Sequence, residues 1–94
     1  MIKSFASRET RNLFEGVSGR RLPGDVQRRA LRKLLTIHAA ADLAEIGRMP
    51  GNRLEKLKGD RAGRHSIRVN DQWRICFVWR DGHAYEVEIV DYHR

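Results

Sequence analysis

Between Met49 and Asn52 the apolar pattern changes period, and this switch limits the possible folds more than any other feature. Upstream, Val26, Ala30, Leu34, Ile37 and Ala41 recur every three or four residues, the spacing of one buried helical stripe. Leu31 and Leu35 widen that stripe, while Arg28, Arg29, Arg32 and Lys33 fill the opposite face. Asp25 is expected to cap this long helix. The run Ala39-Ala40-Ala41 either prolongs it or gives way to a short helix restarting at Asp42. Nearer the N-terminus, Ile2 to Phe5 reads as a short strand. Ser7 then caps a helix running through Asn12 and Phe14, with Glu9 in the first turn where the helix dipole favours an acid. Gly16, Gly19, Pro23 and Gly24 punctuate a loop that exposes Arg20 and Arg21.

Met49-Pro50-Gly51-Asn52 ends helical structure, and from there the period is two. Leu54 and Leu57 bracket a short strand, followed by a turn at Gly59-Asp60-Arg61-Ala62-Gly63. His65 to Asn70 forms the next strand, with Ile67 and Val69 on one side and Ser66 and Arg68 on the other. Asn70-Asp71 reverses the chain into the clearest strand, Trp73 to Arg80. Its alternation puts Trp73, Ile75, Phe77 and Trp79 on one face and Arg74, Cys76, Val78 and Arg80 on the other. Asp81-Gly82 is a hairpin turn. The strand from Ala84 to His93 then places Tyr85, Val87 and Ile89 on the core face, and Glu86, Glu88, Val90 and Tyr92 opposite.

Helices followed by hairpin-linked strands predict an α+β fold, with two N-terminal helices on one face of a twisted antiparallel sheet. The length of 94 residues fits a single domain over 1–94. The other sheet face then carries Arg68, Arg74, Arg80, Glu86, Glu88 and Tyr92. Glu86 or Glu88 could pair across strands with Arg74 or Arg80, so a structural account of those arginines stands beside a functional one.

The formal net charge is +7, and its distribution is uneven. Residues 47–80 hold nine basic and three acidic side chains, whereas residues 81–94 hold one and four. A dense, mostly arginine block favours nucleic acid, because guanidinium groups fit phosphate geometry and phosphate binding releases counterions. The lone cysteine, Cys76, excludes an intramolecular disulfide. The N-terminus lacks the apolar stretch of a secretory signal, and no run is long enough to span a membrane, so a cytoplasmic protein is expected. The four histidines and one cysteine show no zinc spacing, so neither metal nor cofactor is expected. His38 reads as a packed or surface histidine, His65 as structural or peripheral, and His83 as an exposed turn residue. Trp73 and Trp79 belong to the core.

Five segments taken together resemble a known family. They are Ile2-Lys3-Ser4-Phe5, Leu57 to Gly63, Ser66-Ile67-Arg68-Val69, Trp73-Arg74-Ile75-Cys76-Phe77 and Val90-Asp91-Tyr92-His93. In that order, over essentially the whole chain, they are similar to the HigB branch of the RelE-type toxins. The resemblance implies a ribonuclease-like fold and a type II toxin that cleaves message in the ribosomal decoding site. It implies a helix-turn-helix antitoxin as partner, with operator DNA reached only through that antitoxin. It carries the family's functional lysine onto Lys58, its strand arginine onto Arg74 and its terminal triplet onto Asp91, Tyr92 and His93. The family's histidine three residues before the lysine is replaced here by Glu55.

Metal-free RNA cleavage needs a base for the 2′-hydroxyl, a counter-charge for the phosphorane and an acid for the 5′-oxygen. Lys58 and Arg74 suit the second role. Tyr92, His93 and Glu55 can divide the proton transfers, and Tyr92 can equally stack on a base. Asp91 can orient Tyr92 or His93. In a regular strand, however, Asp91 and His93 face away from Arg74 while Tyr92 faces with it. Either the tail bends or His93 caps the sheet. Arg48, Arg53, Arg61, Arg64 and Arg68 are expected to hold RNA backbone. The exposed arginines Arg28, Arg29 and Arg32 are one option for the antitoxin surface. Two other readings remain open: a non-catalytic basic RNA-binding module, and a weakened toxin-like regulator acting through its antitoxin.

Overall fold

A computed structural model describes residues 1–17, 22–59 and 63–92. Three helices precede four strands: α1 (Arg8–Phe14), α2 (Gly24–Ala39), α3 (Leu43–Arg48), β1 (Glu55–Lys56), β2 (Arg64–Arg68), β3 (Trp73–Arg80) and β4 (His83–Asp91). The strands pair antiparallel in sequence order, β1-β2-β3-β4, so the expected α+β architecture is present.

Side-chain caps start two of the three helices. Ser7 accepts the Thr10 N–H at 3.2 Å and caps α1. Asp42 does the same for α3, accepting the Glu45 N–H at 2.8 Å. Thus α2 ends at Ala39 and a short third helix restarts after Asp42, the second of the two outcomes the alanine run allows. The cap of α2 is a correction. Pro23 occupies the capping position, and Asp25 lies inside the first turn with no side-chain capping bond. Its charge still opposes the helix dipole there.

The core lies between the helices and one sheet face. Val26, Ala30, Leu34 and Ile37 of α2 and Ile46 of α3 meet Ile67, Ile75, Phe77 and Val87 of the sheet. Cross-strand register puts Ile67, Ile75 and Ile89 in one row and His65 beside Phe77 in the next.

Residues 2–5 form two isolated parallel bridges to β4, Ile2 to Ala84 and Phe5 to Val87, in place of a continuous strand. The interruption coincides with a bulge in β4, where the pairing with β3 shifts between Cys76 and Val78. Glu86 takes a φ of +50° there, and its N–H is satisfied by the Ser4 hydroxyl at 2.9 Å. The bulge inserts one residue and so reverses alternation on its far side. Tyr85 therefore pairs with Val78 on the open face, and Ala84 takes the core position expected of Tyr85. The period-two pattern has no means of recording an inserted residue.

Three histidines are partly enclosed. The His38 Nδ1 accepts the Ile2 N–H at 3.1 Å, and its ring lies 5.2 Å from that of Phe14. His65 stacks on Phe77 with centroids 6.2 Å apart. His83 is half-buried at the start of β4, not exposed in the turn.

Candidate active site

Arg53 and Glu55, at the start of the β1 edge, and residues of β2, β3 and the C-terminal tail line one depression of the protein surface. A cleft of about 460 Å³ lies there, lined by Arg53, Glu55, Arg68, Asn70, Asp71, Arg74 and Tyr92. Cross-strand pairing explains the grouping: Glu55 opposes Ser66, Ser66 opposes Cys76, and Arg68 opposes Arg74.

Arg74 is the centre of the cleft. It is only 8% exposed, and its guanidinium is held by fixed acceptors. Nε donates to the Ser66 hydroxyl at 2.9 Å. One Nη donates to the Arg53 carbonyl at 2.7 Å and to the Ser66 carbonyl at 3.3 Å. The other Nη faces the Glu55 carboxylate at 3.7 Å. A guanidinium has five N–H donors in a planar fork. Three are engaged on one side, so the Nη opposite Glu55 presents its donors to the cleft. Burial raises the strength of the guanidinium's field, since the surrounding dielectric is lower than that of water.

Tyr92 closes one wall. Its backbone N–H donates to the Gln72 carbonyl at 2.6 Å, extending the sheet by one step beyond β4. Its ring centroid lies 5.8 Å from the Arg74 guanidinium carbon, within cation–π range. The sequence parity of Arg74 and Tyr92 is thus realised as contact. The Asn70 turn, joined to Tyr92 through Gln72, also lines the cleft. Asn70 Oδ1 accepts the Gln72 and Trp73 N–H groups at 2.9 and 2.8 Å, and Arg68 bonds to the Asp71 carboxylate. Three guanidinium groups and two carboxylates therefore share the lining.

The other expected site residues are spread more widely. Lys58 is exposed on the segment after β1 and is not among the lining residues. Asp91 pairs with Trp73, on the face away from Arg74, and accepts the Gln72 side-chain amide at 3.1 Å. Arg48 ends α3, exposed and outside the cleft. Arg64 lies on the open face in ion pairs with Glu86 at 3.4 Å and Glu88 at 4.0 Å. Alternation alone also allowed these carboxylates to pair with Arg74 or Arg80. Instead Arg74 faces Glu55, and the Arg80 guanidinium lies 4.2 Å from the Tyr85 ring centroid. The β4 bulge brings Tyr85 to the face it shares with Arg80. Arg61 and His93, like Arg20, Arg21 and Asp60, lie outside the described residues.

Sequence reasoning did not assign Ser66, Asn70 or Asp71 to the site. Ser66 has a legible signal: it is a small hydroxyl two residues before Arg68, and so on the same face of its strand as Arg68. Asn70 and Asp71 were legible only as turn residues. Among the described residues, no group of three or more histidine, cysteine or acidic side chains is arranged to hold a metal ion.

Known proteins match this chain in both sequence and fold. A family model described as a RelE-like toxin of type II toxin–antitoxin system HigB matches residues 3–93. The protein named Endoribonuclease HigB from Proteus vulgaris is 38% identical over 93 residues, covering 99% of this chain and all of that protein. Toxin HigB-1 of Vibrio cholerae is 42% identical over 65 residues, or 69% of this chain and 68% of that one. Among solved structures, a YoeB chain in the YoeB–YefM complex from Staphylococcus aureus superposes with a TM-score of 0.62 at 18% identity. That match covers 100% of this chain and 99% of the other. YafQ from E. coli gives 0.59 at 10% identity, covering 98% and 94% of the two chains. The structural matches speak to the fold alone; the sequence matches reach further. The chain belongs to the HigB family of RelE-like toxins of type II toxin–antitoxin systems.

Proposed function

We propose that this HigB-family chain is an endoribonuclease that cleaves translated message at the ribosome, without a metal, through attack of a 2′-hydroxyl on the adjacent phosphate. A base removes the 2′-hydroxyl proton, the new O–P bond forms, the bond to the 5′-oxygen breaks, and an acid protonates that oxygen. The products are a 2′,3′-cyclic phosphate and a 5′-hydroxyl. The observation that carries this reading is the immobilised Arg74, whose remaining donors face a cleft that also contains a carboxylate and a phenol. Donors fixed before the reaction stabilise developing oxyanion charge without reorganising.

In this scheme Arg74 binds the non-bridging oxygens, and Glu55 is the base nearest to it. Tyr92 donates to or accepts from the reacting hydroxyl, or supports the base beside it. Lys58, as second cation, and His93, as acid, are assigned on the family resemblance alone, and Asp91 acts on its neighbours in the tail. Arg53 and Arg68 hold the message backbone from the cleft walls, with Arg48, Arg61 and Arg64 gripping RNA outside it. The relative named Endoribonuclease HigB supports the reaction class. A chain of this kind acts in the cytoplasm, where ribosomes translate.

The partner we propose is a helix-turn-helix antitoxin that joins the toxin to operator DNA. A YoeB neighbour solved together with YefM supports an antitoxin partner in general. The exposed arginines Arg28, Arg29 and Arg32 of α2 remain the proposed contact surface.

The test is to incubate purified protein with a message, with and without translating ribosomes, in the presence of a chelator. Cleavage only on ribosomes, leaving 2′,3′-cyclic phosphate ends, is expected. Cleavage that requires a divalent cation, or ends carrying 5′-phosphate, would overturn the proposal.

A further inference from the structure

Arg74 is positioned in part by a backbone carbonyl from a loop, and that loop is itself held by one buried side chain. Asn52 is 1% exposed and engages three separate elements. Its Nδ2 donates to the Ile46 carbonyl at the end of α3, at 2.9 Å. Its Oδ1 accepts from Lys33 Nζ of α2. Its backbone carbonyl accepts the Arg68 N–H of β2 at 2.6 Å. The next residue, Arg53, has a φ of +45°, a left-handed conformation that a non-glycine residue keeps only when its surroundings impose it. That conformation aims the Arg53 carbonyl at Arg74 Nη, 2.7 Å away.

We infer that Asn52 is a positioning residue for the reaction: with Lys33 it clamps the 49–54 segment so that the Arg53 carbonyl fixes the Arg74 guanidinium. The inference rests on the proposed cleavage reading for its kinetic consequence, but the clamp itself does not. Lys33 is suited to this internal role. Burial foremost, then the charges of Arg29, Arg68 and Arg32, hold its pKa below the usual lysine value. A cation so placed gains from a fixed neutral acceptor, which Asn52 supplies without adding a competing negative charge beside Arg74.

A guanidinium free to rock loses alignment with the transition state more than with the bound substrate. Loss of the clamp therefore lowers kcat and leaves binding nearly intact. Asn52→Ala should reduce single-turnover cleavage of ribosome-bound message about tenfold or more. Affinity for ribosomes carrying 2′-O-methylated message should change by less than about twofold. Lys33→Met should give a smaller loss of the same kind, and Lys33→Arg, which keeps the donor, should restore most of it. Because Asn52→Ala can also reduce folding, the two Lys33 variants carry the test where it does.

An activity-independent readout separates this inference from the function it serves. In 15N-labelled wild-type protein, the Arg74 Nε–H resonance should be sharp and slow to exchange. In Asn52→Ala or Lys33→Met it should broaden and exchange faster. If the wild type does not cleave message but this resonance responds, the nuclease reading fails and the clamp stands. If the resonance is unchanged in both variants, or if Lys33→Met lowers ribosome affinity with kcat intact, the clamp is wrong.

Discussion

The two faces of the sheet are built by different rules. The helix side is made of residues that need only be apolar and at the right parity. Ile67, Ile75, Phe77 and Val87 are fully buried in one core cluster with residues of α2 and α3. The open side buries Ser66, Cys76 and Arg74 almost as deeply, yet its arrangement depends on particular partners. A hydrophobic contact tolerates many neighbours, whereas a guanidinium with three acceptors requires each acceptor in place. The core face is therefore robust and the open face specific.

Substitutions on the two faces should separate accordingly. Phe77→Ala removes a fully buried ring and should cost about 3–5 kcal/mol, read from denaturant unfolding. That is enough to unfold much of a small domain, so loss of cleavage would follow loss of structure. Arg74→Lys should leave the unfolding midpoint within a modest range yet slow cleavage about a hundredfold, comparable to losing a fixed oxyanion donor. Lysine keeps the charge but cannot satisfy Ser66 and the Arg53 carbonyl in one plane while still facing Glu55. If Arg74→Lys cleaves as fast as wild type, charge alone would suffice and the distinction between the faces would collapse.

Smaller effects sharpen the same contrast. Glu55→Gln should lower cleavage about tenfold or more and hardly alter stability, since Glu55 is 59% exposed and its ion pair with Arg74 is loose. An unchanged rate would move the base elsewhere. On the core side, burial, followed by the charge of Lys56, pushes the His65 imidazole below its usual value of 6.5. The unfolded chain then takes up a proton more readily than the folded one. Its contribution to stability is complete above about pH 6.5 and is lost as the pH falls toward the depressed folded value. His65→Phe should flatten the fall in melting temperature between about pH 7 and pH 5. A slope equal to that of the wild type would clear His65 of the effect.

The sequence carried the core face almost whole and the site in outline. Period-two alternation located β3 at its observed ends, and the pairing of Arg74 with Tyr92 on one face followed from parity alone. Two physical causes limited the rest. The bulge at Glu86 adds a residue that alternation cannot anticipate, so Tyr85 changed to the face it shares with Arg80. The wall formed by Arg53 depends on a left-handed backbone and on long-range bonds from Asn52 to α2, α3 and β2. Such bonds have no periodic trace. The resemblance carried Lys58 and Asp91 as site residues. Lys58 is exposed and outside the cleft lining, and Asp91 turns toward the Trp73 side.

One double-mutant cycle addresses the shared cleft most directly: single-turnover cleavage of ribosome-bound message by Arg74→Ala, Tyr92→Phe and the pair. Groups acting on one phosphate lose most of their joint effect when either is removed. Each single variant should slow cleavage by at least about tenfold, or about 1.4 kcal/mol. The double variant should be little slower than the worse single one. Full-rate cleavage by both single variants, or losses that simply multiply, would contradict a phosphate shared by Arg74 and Tyr92.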